Sequence, residues 1–204
     1  MAAAHEPLPQ LALSATAWAV SKEALPPPGV QALIAAMQAD AGGEAALGDA
    51  ESQSRNQAVS CAAQVLREMV LQSSGIARMA VEAGAFQAAV AALRQRPNSE
   101  AVQGAASGLL GCLAAASGKF RTLAGSAGAV EAVVAALRGH PNSLVVQENA
   151  AEALGHLVAE SHARNQQLAA KAGGVDALLL ALKQHLHSAA LQARAALAIG
   201  RLAA

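Results

Sequence analysis

The apolar positions of the chain recur three and four residues apart, which is the spacing of one face of a helix. Val, Ile, Thr and aromatic residues nowhere alternate with polar ones, so the pattern predicts no strands. The clearest stretch predicts three consecutive helices, over residues 121–127, 130–139 and 144–160. The apolar faces of the second and third helices are formed by Val130, Val133, Val134 and Leu137, and by Val146, Ala150, Leu154 and Leu157.

Turn residues separate these three helices. The pair Ala127-Gly128 ends the first helix, because glycine permits the left-handed backbone of a sharp turn. Pro141 ends the second helix, and Ser143 offers a capping oxygen to the third. None of these helices can bury its apolar face alone. We therefore expect an all-α structure in which stacked neighbours form a continuous core.

The three-helix unit is repeated along the chain. The Ala-Gly pair recurs at Gly84 and Gly173, 44 residues before and 45 residues after Gly128. A period of this length is typical of a helical solenoid. Further residues recur in register: Leu93, Leu137 and Leu182; Ser99, Ser143 and Ser188; Gln103, Gln147 and Gln192; Gly111, Gly155 and Gly200. A glycine inside a helix costs about 1 kcal/mol relative to Ala, so the last set predicts that a neighbouring backbone passes close.

A fourth, degenerate unit precedes these three. Val30–Met37 matches Val130–Leu137, and Val59 takes the place of Gln103. The first unit is about 12 residues longer than the others, and we predict that this insertion, near residues 40–54, is a solvated acidic loop. The prediction is one domain, residues 1–204, whose units span approximately 8–73, 74–116, 117–160 and 161–204.

The consensus of these units resembles the armadillo repeat. It runs Ala-Gly, an apolar helix, Pro-Asn-Ser and then Val-Gln-x-x-Ala-Ala-x-Ala-Leu-Gly-x-Leu, with Val146–Leu157 as the clearest copy. The resemblance covers residues 28–204 and implies a right-handed superhelical solenoid of about four three-helix repeats. HEAT and bilin-lyase-type repeats are the near rivals, but their units have two helices. The armadillo family hosts many binding roles, so the resemblance implies a binding protein without naming its partner.

Composition and charge narrow the function classes. The chain has 14 basic and 14 acidic residues, so no net charge draws it to nucleic acid or to a membrane surface. Residues 1–102 carry a net charge of −3 and residues 103–204 a net charge of +3. No run approaches the roughly 18 apolar residues of a membrane span. Met1–Val20 has no basic residue before its apolar part, so we expect an amphipathic helix there and no secretory signal.

The cysteine content bears on the compartment. Cys61 and Cys112 are too few for a disulfide framework and are typical of a reducing environment. We therefore expect a cytoplasmic protein, with a ciliary or organellar assembly left open as an alternative.

The resemblance also implies a concave groove lined by the third helix of each unit. Its inward positions fall about two, five and nine residues after the recurring glutamine. The predicted partner-binding residues are Gln64, Glu68, Gly108, Cys112, Asn149, Glu152, His156, Arg194, Leu197 and Arg201. The second unit contributes small, nearly featureless residues to this groove, and the last unit contributes basic ones.

Importin-α-like proteins, which resemble this fold, hold basic peptides on Trp residues five positions after the recurring glutamine position and on Asn residues nine positions after it. In this chain the residues five positions after it are Gln64, Gly108, Glu152 and Leu197. The residues nine positions after it are Glu68, Cys112, His156 and Arg201. None of them is Trp or Asn, so a nuclear-import-type peptide receptor is the less favoured interpretation. A catenin-like partner would need a more basic groove than this one.

Candidate chemistry is sparse. Cys112 and His156 occupy one position of adjacent units, but the roughly 10 Å spacing of packed helices exceeds hydrogen-bond reach. His140, His185 and His187 lack a carboxylate or Cys at metal-ligand spacing, so we predict solvated surface histidines. The glycines of the acidic insertion match neither a phosphate loop nor a calcium loop. We therefore predict no catalytic residue, no metal, no cofactor and no enzymatic activity.

Two functions fit these residues. The first is an adaptor that binds a protein partner through the armadillo groove. The alternative is a structural subunit of a large assembly, held through its ends and convex face. The last helix carries apolar residues that we predict to form an end-to-end interface with another chain: Leu191, Ile199 and Leu202. The basic last half favours an acidic contact surface, for which the acidic first half of a second copy is one candidate. The alternative is that the sequence is a fragment of a longer array, whose next unit would cover this helix.

Overall fold

The computed structural model describes residues 27–38, 49–159 and 162–203 of the chain. These residues form eleven helices and no strand, and 86% of them are helical. The helices are, in chain order, α1 (Pro27–Gln38), α2 (Asp49–Gln72), α3 (Ser74–Glu82), α4 (Ala85–Gln95), α5 (Glu100–Ala116), α6 (Gly118–Ser126), α7 (Ala129–Gly139), α8 (Leu144–Leu157), α9 (Ala163–Ala172), α10 (Gly174–Gln184) and α11 (Ala189–Leu202). The predicted helix over residues 1–20 lies outside the described part.

Three helices make up a repeat unit, and the units stack into a right-handed superhelical solenoid. Helices α3–α5, α6–α8 and α9–α11 form the later units, and α1 and α2 are the second and third helices of the first. The third helices α2, α5, α8 and α11 pack side by side in that order. One apolar core runs through all the units, and Phe86, Leu110, Val133 and Leu178 are almost completely buried in it. The predicted all-α solenoid is confirmed.

The turn between the first and second helix of each of the last three units depends on glycine. The angle φ is +90° at Gly84, +83° at Gly128 and +75° at Gly173, a left-handed region that strains any residue with a Cβ. A Cβ built on Gly128 would also collide with the guanidinium of Arg94, which reaches over from the preceding unit. The predicted glycine turns are confirmed, and those at Gly128 and Gly173 also contact an arginine of the preceding unit.

In each of the last three units, the recurring glutamine binds the carbonyl groups at the end of the second helix. Gln103 Nε2 donates to the carbonyl oxygens of Leu93 at 2.7 Å and Arg96 at 3.0 Å. Gln147 and Gln192 make the equivalent pair of hydrogen bonds in their own units. The last carbonyls of a helix have no partner within it, so the buried amide satisfies two of them.

The glycine inside the third helix has a different role in each unit. A Cβ on Gly111 would lie 3.0 Å from the Cα of Ala153 in α8, so the predicted close approach is confirmed there. On Gly155 it would make an ordinary contact, 3.6 Å from the Cβ of Ala198. A Cβ on Gly200 would meet nothing within 4 Å. The prediction is wrong for Gly200, because no described unit packs on that face of α11.

Some helix bounds differ from the predicted ones. Helix α6 begins at Gly118, three residues early, because Ser117 Oγ accepts a hydrogen bond from the backbone N–H of Lys119. Ser143 is the N-cap residue of α8, as predicted, but its side chain makes no hydrogen bond to the first turn of that helix. Helix α8 ends at Leu157 and does not extend to residue 160.

The insertion in the first unit is helical where the structure describes it. Residues 39–48 lie outside the described part, but residues 49–54, predicted as a solvated loop, form the first turns of α2. Arg55 Nη2 lies 2.6 Å from Glu51 Oε1, one helical turn away, and this ion pair favours the helix. The loop prediction is therefore wrong for these residues.

Among the described helices, none is long and apolar enough by itself to cross a membrane. Two pairs, α3 with α4 and α6 with α7, reach the required length and composition together, but they are bent by 69° and 73°.

Candidate protein-binding surface

The third helices share one solvent-facing surface, which we call the third-helix surface. It comprises the positions two residues before, and two, five and nine residues after, the recurring glutamine. Positions separated by four, three and four residues lie on the same face of a helix. They are Gln57, Cys61, Gln64 and Glu68 on α2; Ala101, Ala105, Gly108 and Cys112 on α5; Val145, Asn149, Glu152 and His156 on α8; and Ala190, Arg194, Leu197 and Arg201 on α11.

Exposure varies along this surface. Its exposed members include Gln64, Glu68, Val145 and Leu197, and its half-buried members include Cys112, Asn149, Glu152, His156, Arg194 and Arg201. Gly108 is buried, because a Cβ built on it would lie 3.4 Å from both Arg67 Nε and Asn149 Oδ1. The prediction of Gly108 as an open groove position is therefore wrong: side chains from the two neighbouring helices cover it.

Charged side chains of the last unit are bound to the unit before it. Arg194 Nη1 lies 3.2 Å from Glu148 Oε2, and Arg194 Nη2 lies 3.4 Å from Glu152 Oε2. Arg201 Nη1 donates to the carbonyl oxygen of Gly155 at 2.7 Å. The prediction of a basic groove in the last unit is corrected accordingly, because the charge of Arg194 is compensated and both arginines join α11 to α8.

Arg67 also belongs to this region. It does not lie two, five or nine residues after the recurring position, so it is not among the predicted residues. Its guanidinium forms a hydrogen bond with the thiol of Cys112, and its buried Nε has no partner among the described residues. The alignment of the repeat units shows that this residue is unusual. Eight residues after Val59, Arg67 stands where the later units have the glycine represented by Gly111. The first unit therefore carries a long cation at the position where Gly111 permits close helix packing in the second unit.

Burial disfavours the charged forms of both Cys112 and His156. Burial raises the pKa of the Cys112 thiol, and the hydrogen bond and charge of Arg67 offset only part of that rise. Burial lowers the pKa of His156, although Glu152, whose Oε1 lies 4.0 Å from His156 Nε2, opposes the change. A protonated thiol is a poor nucleophile, because the thiolate is the reactive form. In the described part of the chain, no three His, Cys, Asp or Glu side chains are grouped to hold a metal ion.

Histidines at the ends of the second helices join neighbouring units. His140 Nε2 lies 2.7 Å from the carbonyl oxygen of Pro97, and His185 Nε2 lies 2.8 Å from that of Pro141. A carbonyl only accepts, so each ring nitrogen is the donor. Both histidines are half-buried at the surface, and each also contacts the preceding unit, which the sequence pattern did not predict.

The predicted end interface is partly misassigned. Leu191 is 0% exposed, because it occupies the position of Val146 and faces the interior of its own unit. It is therefore not available to another chain. Ile199 and Leu202 are half-buried, and Leu179 on α10, which the sequence did not single out, is 43% exposed. We call Leu179, Ile199 and Leu202 the end face.

Neither a known protein-family model nor a curated protein matches the sequence. Two solved structures are similar to this one. A designed armadillo repeat protein superposes with a TM-score of 0.63 at 21% sequence identity, over 95% of this chain and 81% of that one. An engineered protein superposes with a TM-score of 0.67 at 22% identity, over 86% of this chain, which spans 63% of that protein's length. Identities this low show the fold alone. The chain has an armadillo-like helical repeat fold.

Proposed function

We propose that the chain is a non-catalytic scaffold that binds a protein partner on the third-helix surface. Armadillo-like repeat folds are generally protein-binding scaffolds. The observation that carries the proposal is a pair of apolar side chains on this surface, Val145 at 65% and Leu197 at 52% exposure. Apolar side chains within a polar rim are typical of the centre of a protein interface.

The side chains around Val145 are held in place by neighbouring helices, which favours the binding of a partner. A Cβ built on Gly104 would lie 3.3 Å from Val145 Cγ1, so Val145 is seated on the bare backbone of α5. Glu148 and Glu152 on the same helix are fixed by Arg194. A surface that is already ordered loses little conformational entropy when a partner binds, which favours affinity.

Affinity capture with charge insertions tests the proposal. The tagged chain is incubated with a lysate of its native cells, and the retained proteins are quantified by mass spectrometry. Val145→Asp and Leu197→Asp should each lower the retention of the specific partner about tenfold, because each replaces an exposed apolar contact with a charge. Leu180→Asp is the matched control, since Leu180 is 45% exposed on α10 of the same unit but lies outside the third-helix surface.

Undiminished retention by both Asp variants, with helix content unchanged in circular dichroism, would contradict the proposal. Reversing the charge of Glu152 or Arg201 is a weaker test. Both side chains hold α8 and α11 together, so a loss of binding there would have two explanations.

The end face supports a second candidate, a structural subunit held through its ends. Its apolar side chains Leu179, Ile199 and Leu202 offer a contact for another helical chain. Leu179→Asp separates the two candidates. Loss of the partner from this variant, with retention by Val145→Asp, would favour the structural subunit. End-to-end association of two copies would appear in light scattering as a dimer that Leu179→Asp dissociates.

A further inference from the structure

The lengthened α2 builds a polar cleft beside the third-helix surface. Helix α2 has 24 residues, whereas α5 has 17 and α8 has 14. With Val59 in the place of Gln103, Asn56 corresponds to the first residue of α5. Residues 49–55 therefore add about two turns to the start of α2. One wall of the cleft combines Ser52 and Gln53 of these added turns with Asn56 and Gln57, and Asn98, Ser99 and Ala101 form the other.

The cleft has a volume of about 370 Å³. Ligand sites in proteins measure roughly 300–1,000 Å³, so this one suits a few residues of extended chain. We call it the amide cleft, and its lining residues are Ser52, Gln53, Asn56, Gln57, Asn98, Ser99 and Ala101. The α2 residues among them lie one and four positions apart, so they share a helix face.

The side chains of the amide cleft are neutral and largely unoccupied. Four are carboxamides, two are hydroxyls and none is ionisable. Gln57 and Ser99 each make one hydrogen bond within the chain. Gln53, Asn56 and Asn98 make none to the described part of the protein. A charged ligand would find no counter-ion in this cleft, whereas a neutral polar one would find both donors and acceptors.

We propose that the amide cleft binds the main chain of an extended, uncharged segment of the protein partner. A carboxamide offers a donor and an acceptor side by side, which matches the N–H and C=O groups of a peptide backbone. Gln57 and Ala101 occupy the same register position as Val145, so the cleft opens onto the third-helix surface. One partner chain therefore crosses both. This inference rests on the proposed function.

Random 12-residue peptides displayed on phage are the probe. They are selected on the full chain, and the selected peptides are synthesised with a fluorescent label for anisotropy titrations. Asn56→Ala and Asn98→Ala should each weaken binding about fivefold, the effect of losing one net hydrogen bond. Asn142→Ala is the matched control, because Asn142 has the same turn position in the third unit but does not line the cleft. Its affinity should equal that of the unaltered chain.

Recognition of the main chain is tested by N-methylating the peptide bonds of a selected peptide one at a time. At least one methylated peptide should lose about fivefold in affinity for the unaltered chain and lose nothing further for Asn98→Ala. Gln53→Ala is measured in parallel, because Ala in an exposed helix position favours folding even if the turn variant is unstable. Methylation effects that are identical in all the variants would overturn the proposal.

The outcomes separate this inference from the proposed function. If peptide binding falls with Val145→Asp but not with Asn56→Ala, Asn98→Ala or Gln53→Ala, the cleft proposal is overturned and the third-helix surface stands. If no peptide is selected, the cleft proposal is likewise overturned, and the capture experiment alone decides the proposed function.

Discussion

The third unit and the last unit place the same sequence positions in different surroundings. Val134 on α7 is 1% exposed, whereas its counterpart on α10, Leu179, is 43% exposed. Leu157 is fully buried at the end of α8, whereas Leu202 is half-buried at the end of α11. The third unit has described neighbours on both sides and the last unit on one. Burial in this fold is therefore supplied by the next unit more than by the residue type.

Polar contacts follow the same gradient. Gln147 is 1% exposed, and its hydrogen bonds to the second helix of its unit measure 2.7 and 2.9 Å. Gln192 makes the same two bonds at 3.1 and 3.3 Å and is half-buried. The same residue therefore makes longer hydrogen bonds and is more exposed in the last unit. Matched substitutions in the two units measure the resulting difference in stability.

The largest expected difference lies between two leucines that end third helices. Leu157→Ala should lower the free energy of unfolding by about 3 kcal/mol, because it leaves a cavity that the packed units cannot fill. Leu202→Ala should cost about 1 kcal/mol, because part of that side chain is already in water. Urea denaturation followed by circular dichroism measures both values. Equal losses would break the comparison.

The recurring glutamines should show the next largest difference. Gln147→Ala strands two buried carbonyl groups and should cost about 2 kcal/mol. Gln192→Ala should cost about 1 kcal/mol, because water reaches the carbonyls of its half-buried site. The same denaturation experiment applies, and a greater loss for Gln192→Ala would contradict the gradient.

Replacing the third-helix glycine by Ala should change stability in opposite directions in the second and last units. Gly111→Ala brings a Cβ to 3.0 Å from the backbone of Ala153 and should destabilise the fold by about 1 kcal/mol. Gly200→Ala meets open space, so the helix propensity of Ala should stabilise the fold by about 0.5–1 kcal/mol. Thermal melts of the two variants provide the check. A stabilising Gly111→Ala would mean that α5 and α8 lie further apart.

The smallest expected effect is a pH dependence at the junction of the two units. Burial lowers the pKa of folded His156 below the unfolded value near 6.5, so the unfolded chain binds the proton more tightly. The contribution of His156 to stability should therefore be constant above about pH 7 and fall as the pH drops through about 6.5. His156→Gln should flatten this slope in urea midpoints measured from about pH 7.5 to 5.5. The exposed His187→Gln is the control, and an unchanged slope in His156→Gln would exclude His156 as the cause.

The repeat pattern of the sequence predicted the features that form within a single unit. The turn glycines, the recurring glutamine and the apolar faces of the helices recur because the same local requirement exists in every unit. Gly128 shows this, since a positive φ is a property of its own turn. The register of the third helices also placed Asn149, Glu152 and His156 on one face. Their role in binding a partner stays a prediction.

The sequence did not predict what depends on the neighbouring unit. Gly108 looked open because it has no side chain, but Arg67 and Asn149 reach over it from adjacent helices. Leu191 looked like an end residue because it is apolar on the last helix, but it faces inward. Which side of a helix meets the next unit depends on how the helices are packed, and one helix's periodicity does not specify it. The amide cleft depends in the same way on two turns that had been predicted as loop.

Hydrogen–deuterium exchange tests most directly whether neighbouring units supply the burial. The measurement is made by mass spectrometry on the chain at a concentration where light scattering gives the monomer mass. Amides of α8, packed between α5 and α11, should exchange slowest, and those of α11 at least about tenfold faster. Protection of α11 equal to that of α8 in the monomer would contradict the claim.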